Sequence, residues 1–149
     1  MAENPMTEKE HKAIRRNVKL FARINVWVYR LTGGRLMNTF SGCPICLVKM
    51  TGAKSGVVRW MPVMYVPYRE GVIIVASLGG APKHPTWYHN LVAHPDIEVI
   101  YRSKHMKLTA RQVYDEEKAA VWPTCVEHYP PYADYQSRTD RKIPVFICE

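Results

Sequence analysis

The sequence predicts an α+β fold: a small, mostly antiparallel barrel of about six strands with flanking helices. Three observations carry this expectation. The apolar runs are short, and most are joined by hairpin signals rather than by helices. Strands and helices do not alternate regularly, which argues against a doubly wound parallel sheet. No G-x-G-x-x-G opens a helix after a strand, and no G-x-x-x-x-G-K-[ST] is present. With 149 residues, 47% of them apolar, the chain is expected to make one globular domain with a real core.

A helix opens the fold. Thr7-Glu8-Lys9-Glu10 is a capping box, with Thr7 as N-cap and Glu10 three residues on. The helical pattern continues to about Leu31. Ile14, Val18, Phe21 and Val28 share one side, with Leu20, Ile24, Trp27 and Leu31 beside them. Lys12, Arg16, Lys19, Arg23 and Arg30 form a basic stripe opposite. Such a helix either packs on the domain with a solvated basic face or lies on an anionic membrane surface. Trp27 and Phe21 suit the second. Thr32-Gly33-Gly34 ends the helix. Residues 1–34 therefore read as an amphipathic N-terminal unit, flexible or membrane-facing, and residues 35–149 as the barrel domain.

Residues 35–44 read as irregular, rich in Asn, Ser, Gly and Pro. Ile45 to Thr51 is a short apolar strand, and Val57 to Pro67 is the next. Proline has no N–H to give, so Pro62 marks an edge, a bulge or a place where the ladder opens to a ligand. Tyr68-Arg69-Glu70-Gly71 signals a hairpin. Val72 to Ala76 is continuously apolar, as in a strand buried on both faces. His84 to Ala93 reads as a helix with Pro85 in its first turn, and His94-Pro95-Asp96 breaks it. Ile97 to Tyr101 pairs through a Ser103-Lys104 turn with His105 to Tyr114. Asp115-Glu116-Glu117 puts negative charge at the start of a helix reaching about His128, where it complements the helix dipole. A Tyr- and Pro-rich stretch from Tyr129 to Tyr135 follows, and Ile143 to Cys148 closes the chain as a strand.

Lys49 to Asn90 carries the chemistry. Gly52-Ala53-Lys54-Ser55-Gly56 is followed closely by Arg59. Ser77-Leu78-Gly79-Gly80-Ala81-Pro82-Lys83 runs into His84-Pro85-Thr86-Trp87-Tyr88-His89-Asn90. Each turn pairs glycine-rich backbone with a cation, and such turns present N–H groups in a concave array that binds anions. Two of them near an aromatic residue point to a flat, anionic ligand. The net charge of +8, from 21 Lys+Arg against 13 Asp+Glu, favours acidic partners in general. Nucleic acid is not expected as the partner, because the cations lie on a helix and two turns without basic–aromatic interleaving on a strand.

No apolar run approaches the roughly 20 residues that span a bilayer. Met1-Ala2-Glu3-Asn4-Pro5 lacks the features of a signal peptide, so a cytoplasmic protein is expected. Cys43-Pro44-Ile45-Cys46 has redox spacing, but it enters a strand instead of opening a helix. With Cys125 and Cys148 it reads as free packing thiols in a reducing compartment. His84, His89 and His94 are spaced poorly for shared ligation, and no metal site is expected.

Thr51-Gly52-Ala53-Lys54-Ser55-Gly56, then Arg59 and Pro62, resembles the phosphate turn of the deazaflavin-dependent nitroreductase family. Ala76-Ser77-Leu78-Gly79-Gly80 with Pro85-Thr86-Trp87-Tyr88-His89-Asn90-Leu91 is similar to that family's second signature, and Asp96 falls at its strand start. Trp122-Pro123, the run from Tyr129 to Gln136, Thr139-Asp140-Arg141 and Ile143-Pro144 resemble the C-terminal part of its quinone- and nitroimidazole-reducing members. The likeness covers the chain from about residue 20 onward. It implies a split β-barrel of the FMN-binding-like kind that binds coenzyme F420, an 8-hydroxy-5-deazaflavin with a phospholactyl group and a polyglutamate tail. It also implies an oxidoreductase that passes hydride from F420H2 to small electron-poor acceptors. Quinones of the menaquinone type, nitroaromatics and activated enones qualify.

On that resemblance, Lys54, Arg59 and the N–H groups of Ala53, Lys54, Ser55 and Gly56 hold the phosphate by charge-assisted hydrogen bonds. Trp60, Met61, Pro62, Val63 and Met64, with Val75, Ala76, Ser77 and Leu78, set backbone against the polar ring edge. Trp87 flanks the ring with Thr86 and Asn90, and Tyr88 and His89 belong to the same cofactor-binding helix. Two departures stand out. Many relatives have a cation where this chain has Ala53, and some have a lysine where it has Leu78; losing a charged partner costs about 1.5–3 kcal/mol. Tyr129, Tyr132 and Tyr135 lie on one side of a helical turn and are expected to form a lid over the exposed ring face. Tyr132 matches the family tyrosine that touches cofactor and substrate. Its hydroxyl and that of Ser77 are the expected donors to the developing negative charge of the acceptor. The residues themselves leave two other readings open: an FMN-binding split-barrel oxidoreductase, and a non-catalytic basic protein peripheral to a membrane.

Overall fold

The computed structural model describes residues 4–149. Met1, Ala2 and Glu3, part of the signal-peptide reading above, lie outside the described residues. The first helix, α1, spans Glu8–Leu31. Its capping box forms as the sequence predicts. The Glu10 amide donates to Thr7 Oγ1 at 3.3 Å, and the Thr7 amide donates to Glu10 Oε2 at 2.8 Å. Donation from the Thr7 amide, and then from its hydroxyl, holds the Glu10 carboxyl below its usual value. At the other end, Thr32 Oγ1 donates to the Val28 carbonyl at 2.8 Å.

The chain continues through β1 Thr39–Phe40, β2 Cys43–Thr51, β3 Val58–Met64, β4 Val66–Tyr68 and β5 Gly71–Val75. A 3-10 turn, Leu78–Gly80, leads to α2 Thr86–Ala93, β6 Asp96–Tyr101 and β7 Lys104–Val113. The last elements are α3 Asp115–His128, α4 Pro131–Ser137 and β8 Val145–Cys148. Two expectations need correction. The irregular segment contains β1, which folds back on the start of β2 with Thr39 opposite Pro44. Pro85 stands just before α2 as its extended cap, not inside its first turn.

All strand pairings are antiparallel, in the order β1-β2-β6-β7-β8-β5-β4, with β3 on the other side of β2. β3 and β4 act as one strand bent at Tyr65. Its first part pairs with β2, its second with β5, and the Tyr65 amide donates to the Pro44 carbonyl at 2.9 Å. The bend curls the sheet back on itself into a split barrel. Pro62 lies opposite Leu47 without a break in register. β3 is paired on one side only, so proline interrupts no second ladder.

Side chains alternate across the barrel wall with period two. Cys46, Val48, Met50, Val72, Ile74, Val99 and Phe146 fill the interior. Ile73, Val75, Val113 and Ile147 pack instead with Val121 and Cys125 of α3. This explains the unbroken apolar run of β5: both of its faces are buried, one by the barrel and one by helices. Ile45 and Leu47 of β2 turn outward and pack against Tyr29 of α1.

α1 packs by a face different from the one its hydrophobicity suggests. Ala22, Asn25 and Tyr29 are buried, together with His11. Leu20, Ile24, Trp27 and Leu31 are exposed by 60%, 48%, 68% and 71%, and Trp27 and Leu31 border an open groove. Polar locks set this rotation. Asn25 Nδ2 donates to the Met37 carbonyl at 2.6 Å, and the Arg102 amide donates to the Tyr29 hydroxyl.

Candidate cofactor groove

Between α1, β3, the Gly52–Gly56 turn and α2 runs a groove of about 1430 Å³. Arg15, Lys19, Arg23 and Arg30 line it from α1, and Lys54 and Arg59 from the opposite wall. Among the described residues no carboxylate lines it. The basic stripe of α1, expected to face solvent or membrane, therefore contributes Lys19, Arg23 and Arg30 to this groove, joined by Arg15 from outside the stripe. A run of cations on a helix has the same sequence pattern in either place, which is why the groove-facing role was not legible. Arg30 also stacks over the Trp60 ring at 5.5 Å, and Lys49 lies 6.0 Å from the same ring.

The first glycine turn is tied down from both sides. The Gly52 amide donates to the Val57 carbonyl at 2.8 Å, and the Gly56 amide donates to the Gly52 carbonyl at 3.0 Å. A Cβ at Gly52 would overlap Ser55 Oγ, the atom that accepts from the Val57 amide at 3.2 Å. Asn90 Oδ1 accepts from the Ala53 amide at 2.9 Å and so fastens the turn to α2. Ala53 and Gly56 thus spend their N–H groups internally. The amides of Lys54 and Ser55 take no part in these bonds, and both residues line the groove with Arg59. Two amides and two cations at an exposed turn suit a phosphate.

The second glycine turn departs from expectation. Its Gly80 and Ala81 amides bond internally, to the carbonyls of Ser77 at 3.0 Å and Leu78 at 3.1 Å. Its carbonyls are gathered by a cation. Arg141 donates to the carbonyls of Ala76 at 3.1 Å, Ser77 at 2.7 Å and Ala81 at 3.0 Å. The turn is a buried brace and not an anion cradle. Gly80 has φ +78°, and a Cβ there would meet the Tyr135 carbonyl at 2.5 Å, so glycine is required by both backbone and space. Leu78 also takes a positive φ of 43°, an uncommon state for a branched residue, and it lines the groove.

The predicted cofactor residues divide accordingly. Ala53, Lys54, Ser55, Arg59, Trp60, Met61, Leu78, Thr86, Trp87, His89 and Asn90 line the groove. Pro62, Val63, Met64, Val75, Ala76, Ser77 and Tyr88 do not. Val63 belongs to the barrel interior and Val75 to the layer under α3. The Ala76 amide and carbonyl are both engaged, with the Pro144 carbonyl and Arg141. Ser77 is buried beside the groove-lining Leu78. Tyr88 turns to the barrel end, where its hydroxyl donates to Gln112 Oε1 at 3.2 Å.

The tyrosine lid is the largest correction. Tyr129 and Tyr132 are each only 3% exposed and pack with Tyr135, Trp122 and the outer face of β5. Tyr129 and Tyr132 meet edge to face at 4.8 Å, and the Tyr129 and Tyr135 hydroxyls are 2.9 Å apart. Residues 131–137 form α4, and the shared side of the three tyrosines is turned inward. Burial holds the Tyr132 phenol well above its ordinary value, so it stays protonated. No tyrosine among the described residues lines the groove.

The site is thus a polycationic groove with a phosphate-type turn, lined by Trp60 and Trp87 in a split barrel. The F420H2-dependent quinone reductase family model matches residues 21–149. The chain belongs to the F420H2-dependent quinone reductase family. An F420H2-dependent quinone reductase of Mycobacterium tuberculosis, Rv1261c, is 39% identical over 129 residues, covering 84% of this chain and 87% of its own. A solved F420-H2 dependent reductase (FDR-A) is 50% identical, with a TM-score of 0.67 over 71% of this chain and 94% of its own. HutZ, the heme storage protein from Vibrio cholerae, is 13% identical with a TM-score of 0.54, covering 95% of this chain and 88% of its own. That last likeness concerns the fold alone. As a member of this family the chain is an F420-dependent oxidoreductase, and the groove fits the cofactor's chemistry: cations and free amides for its anionic groups, an aromatic wall for its ring.

Proposed function

We propose that this protein transfers hydride from reduced coenzyme F420 to quinones, and that nitroaromatics and activated enones are further acceptors. The observation that carries this reading is the groove itself, which collects cations from α1, β3 and the Gly52–Gly56 turn, has no carboxylate in its lining among the described residues, and includes Trp60 and Trp87. Lys54, Arg59 and the amides of Lys54 and Ser55 hold the phosphate. Asn90 keeps the turn in place through the Ala53 amide. Trp87, with Thr86, flanks the ring, and α1 walls off water along one side. Bound and reduced, the deazaflavin supplies a hydride from its ring carbon; the protein supplies orientation and electrostatics. Ser77 sits next to the groove wall and is the hydroxyl proposed to assist the acceptor. The tyrosines act by packing α4 against α3 and β5 rather than by touching the acceptor.

The test is anaerobic mixing of protein, F420H2 and menadione, followed by the absorbance of the oxidised deazaflavin. Protein-dependent reoxidation is expected, with KM for F420H2 raised in Lys54→Ala. Absence of turnover with menadione and other soluble quinones would overturn the proposal.

A second reading concerns α1. We propose that the exposed apolar stripe of α1, Leu20 and Ile24 with Trp27 and Leu31 at the groove edge, rests on the anionic inner surface of a cytoplasmic membrane, so that residues 1–34 serve both the groove and the lipid. The stripe is exposed, contains a tryptophan and is flanked by Arg16, Lys19 and Arg23. No helix among the described residues is long and apolar enough to cross a membrane. Four free cysteines suit a reducing compartment. Flotation with anionic vesicles tests this: Leu20→Ser with Ile24→Ser, both outside the groove lining, is expected to release the protein. Equal flotation of wild type and variant contradicts it.

A further inference from the structure

A second concavity of about 450 Å³ opens on the flank of the groove. Its walls come from separated parts of the chain: Arg15 on α1, Lys83 and His84 ahead of α2, Thr86 and His89 on α2, and Arg141 between α4 and β8. Three of these carry permanent positive charge, two are imidazoles, and no carboxylate among the described residues lines the cavity. Arg15, Thr86 and His89 line both cavities. Arg15 Nη2 reaches Thr86 Oγ1 at 3.4 Å across the boundary.

Arg141 is fixed in place. Besides its three carbonyl acceptors, its Nη1 lies 2.8 Å from His84 Nδ1. Arginine only donates, so His84 Nδ1 accepts and the ring carries its proton on Nε2. His84 is held below its usual pKa by burial and then by Arg141. His11 lies in the same field. It is only 8% exposed, its Nε2 has no hydrogen-bond partner, and burial, then Arg15 and Lys83, lower its pKa. Cations gathered around a concavity repel one another, and an anion between them relieves that repulsion.

We propose that this pocket, where Arg15, Lys83, His84 and Arg141 converge beside the groove, is a second anion subsite that takes a carboxylate or phosphoryl group. Two sources share that chemistry: a tail carboxylate of the ligand in the groove, which rests on the coenzyme F420 reading, or a free small anion. In either case the subsite is distinct from the Lys54 and Arg59 turn.

Lys83 is exposed and makes no structural bond to the barrel, so Lys83→Glu reports on the pocket without unfolding the protein; its melting temperature checks this. Fluorescence titrations use F420 with several glutamates and F420 stripped to its phospholactyl group. If the tail is the source, wild type binds the long-tailed form about fivefold more tightly. Lys83→Glu loses that preference with unchanged affinity for the stripped form, and Lys83→Arg keeps it. If a free anion is the source, tail length has no effect. Citrate or inorganic phosphate then raises the melting temperature of cofactor-free wild type more than that of Lys83→Glu. A wild type indifferent to tail length, citrate and phosphate overturns the proposal, as does a Lys83→Glu variant weakened equally toward both F420 forms. Binding of stripped F420 throughout leaves the cofactor reading intact. Failure of every F420 form to bind defeats that reading separately, and the citrate and phosphate arm still decides the pocket.

Discussion

The groove under α1 and the tyrosine cluster under α4 are both aromatic and both built on short helices and turns, but they differ in wetness and in charge. The groove is open and lined by Arg15, Lys19, Arg23, Arg30, Lys54 and Arg59. The cluster is sealed, with Tyr129 and Tyr132 at 3% exposure and Val66, Ile73 and Ile143 around them at 0%. Substitutions in the groove should therefore move ligand affinity and leave stability alone, whereas substitutions in the cluster should do the reverse.

The largest expected effect is in the cluster. Tyr132→Ala should lower unfolding free energy by about 3–5 kcal/mol, the cost of removing a large buried ring, read as a shift in urea midpoint. A lid tyrosine would instead leave the midpoint unchanged and slow only turnover. In the groove, Lys54→Ala and Arg59→Ala should each cost about 1.5–3 kcal/mol of cofactor binding, roughly ten- to a hundredfold in Kd. Their stability should stay within about 0.5 kcal/mol of wild type. Equal losses of stability would erase the contrast between the two regions.

Much of the barrel was legible. β5, the β6–β7 hairpin and α3 lie where periodicity and turn residues put them, because each signal is local. What was not legible depends on rotation and direction. The amphipathic pattern of α1 groups Ile14, Val18, Phe21 and Val28 with Leu20, Ile24, Trp27 and Leu31 beside them as its apolar side, but Asn25 and Tyr29 set the rotation with specific hydrogen bonds. Pro130-Pro131 reads as a surface loop, yet it opens α4 with Tyr132 facing inward. The Ser77–Lys83 turn has the composition of an anion cradle, but Arg141, some sixty residues away, turns it into a brace. A contact of that separation leaves no local trace. The Gly52–Gly56 turn was legible because glycine, lysine and the later Arg59 lie within one short segment.

Alkali sharpens the comparison further. Burial pushes the thiols of Cys125, beside the tyrosine cluster, and Cys148, in the barrel, up to about 12 from an ordinary 9.0. Above that ordinary value the unfolded thiols release protons that the folded ones keep. Stability is therefore retained below about pH 9 and falls as pH rises toward about 12. Urea midpoints measured on either side of pH 9 should show the decline, and Cys125→Ser with Cys148→Ser should lessen it, the remainder coming from Cys46, Tyr129 and Tyr132, which burial also holds above their ordinary values. The smallest effect expected is that of Asn90→Ala. It removes the acceptor for the Ala53 amide and should weaken cofactor binding by about 1 kcal/mol, a few-fold in Kd, without touching the cluster.

The central claim is that the groove is built for a deazaflavin held by its phosphate at Lys54 and Arg59. The most direct measurement is a fluorescence titration of the full chain with coenzyme F420 and, in parallel, with FMN, repeated for Lys54→Ala. Saturable binding of F420, at least tenfold tighter than FMN and weakened in the variant, is the predicted result. Tighter binding of FMN, or F420 binding unaffected by Lys54→Ala, would contradict it.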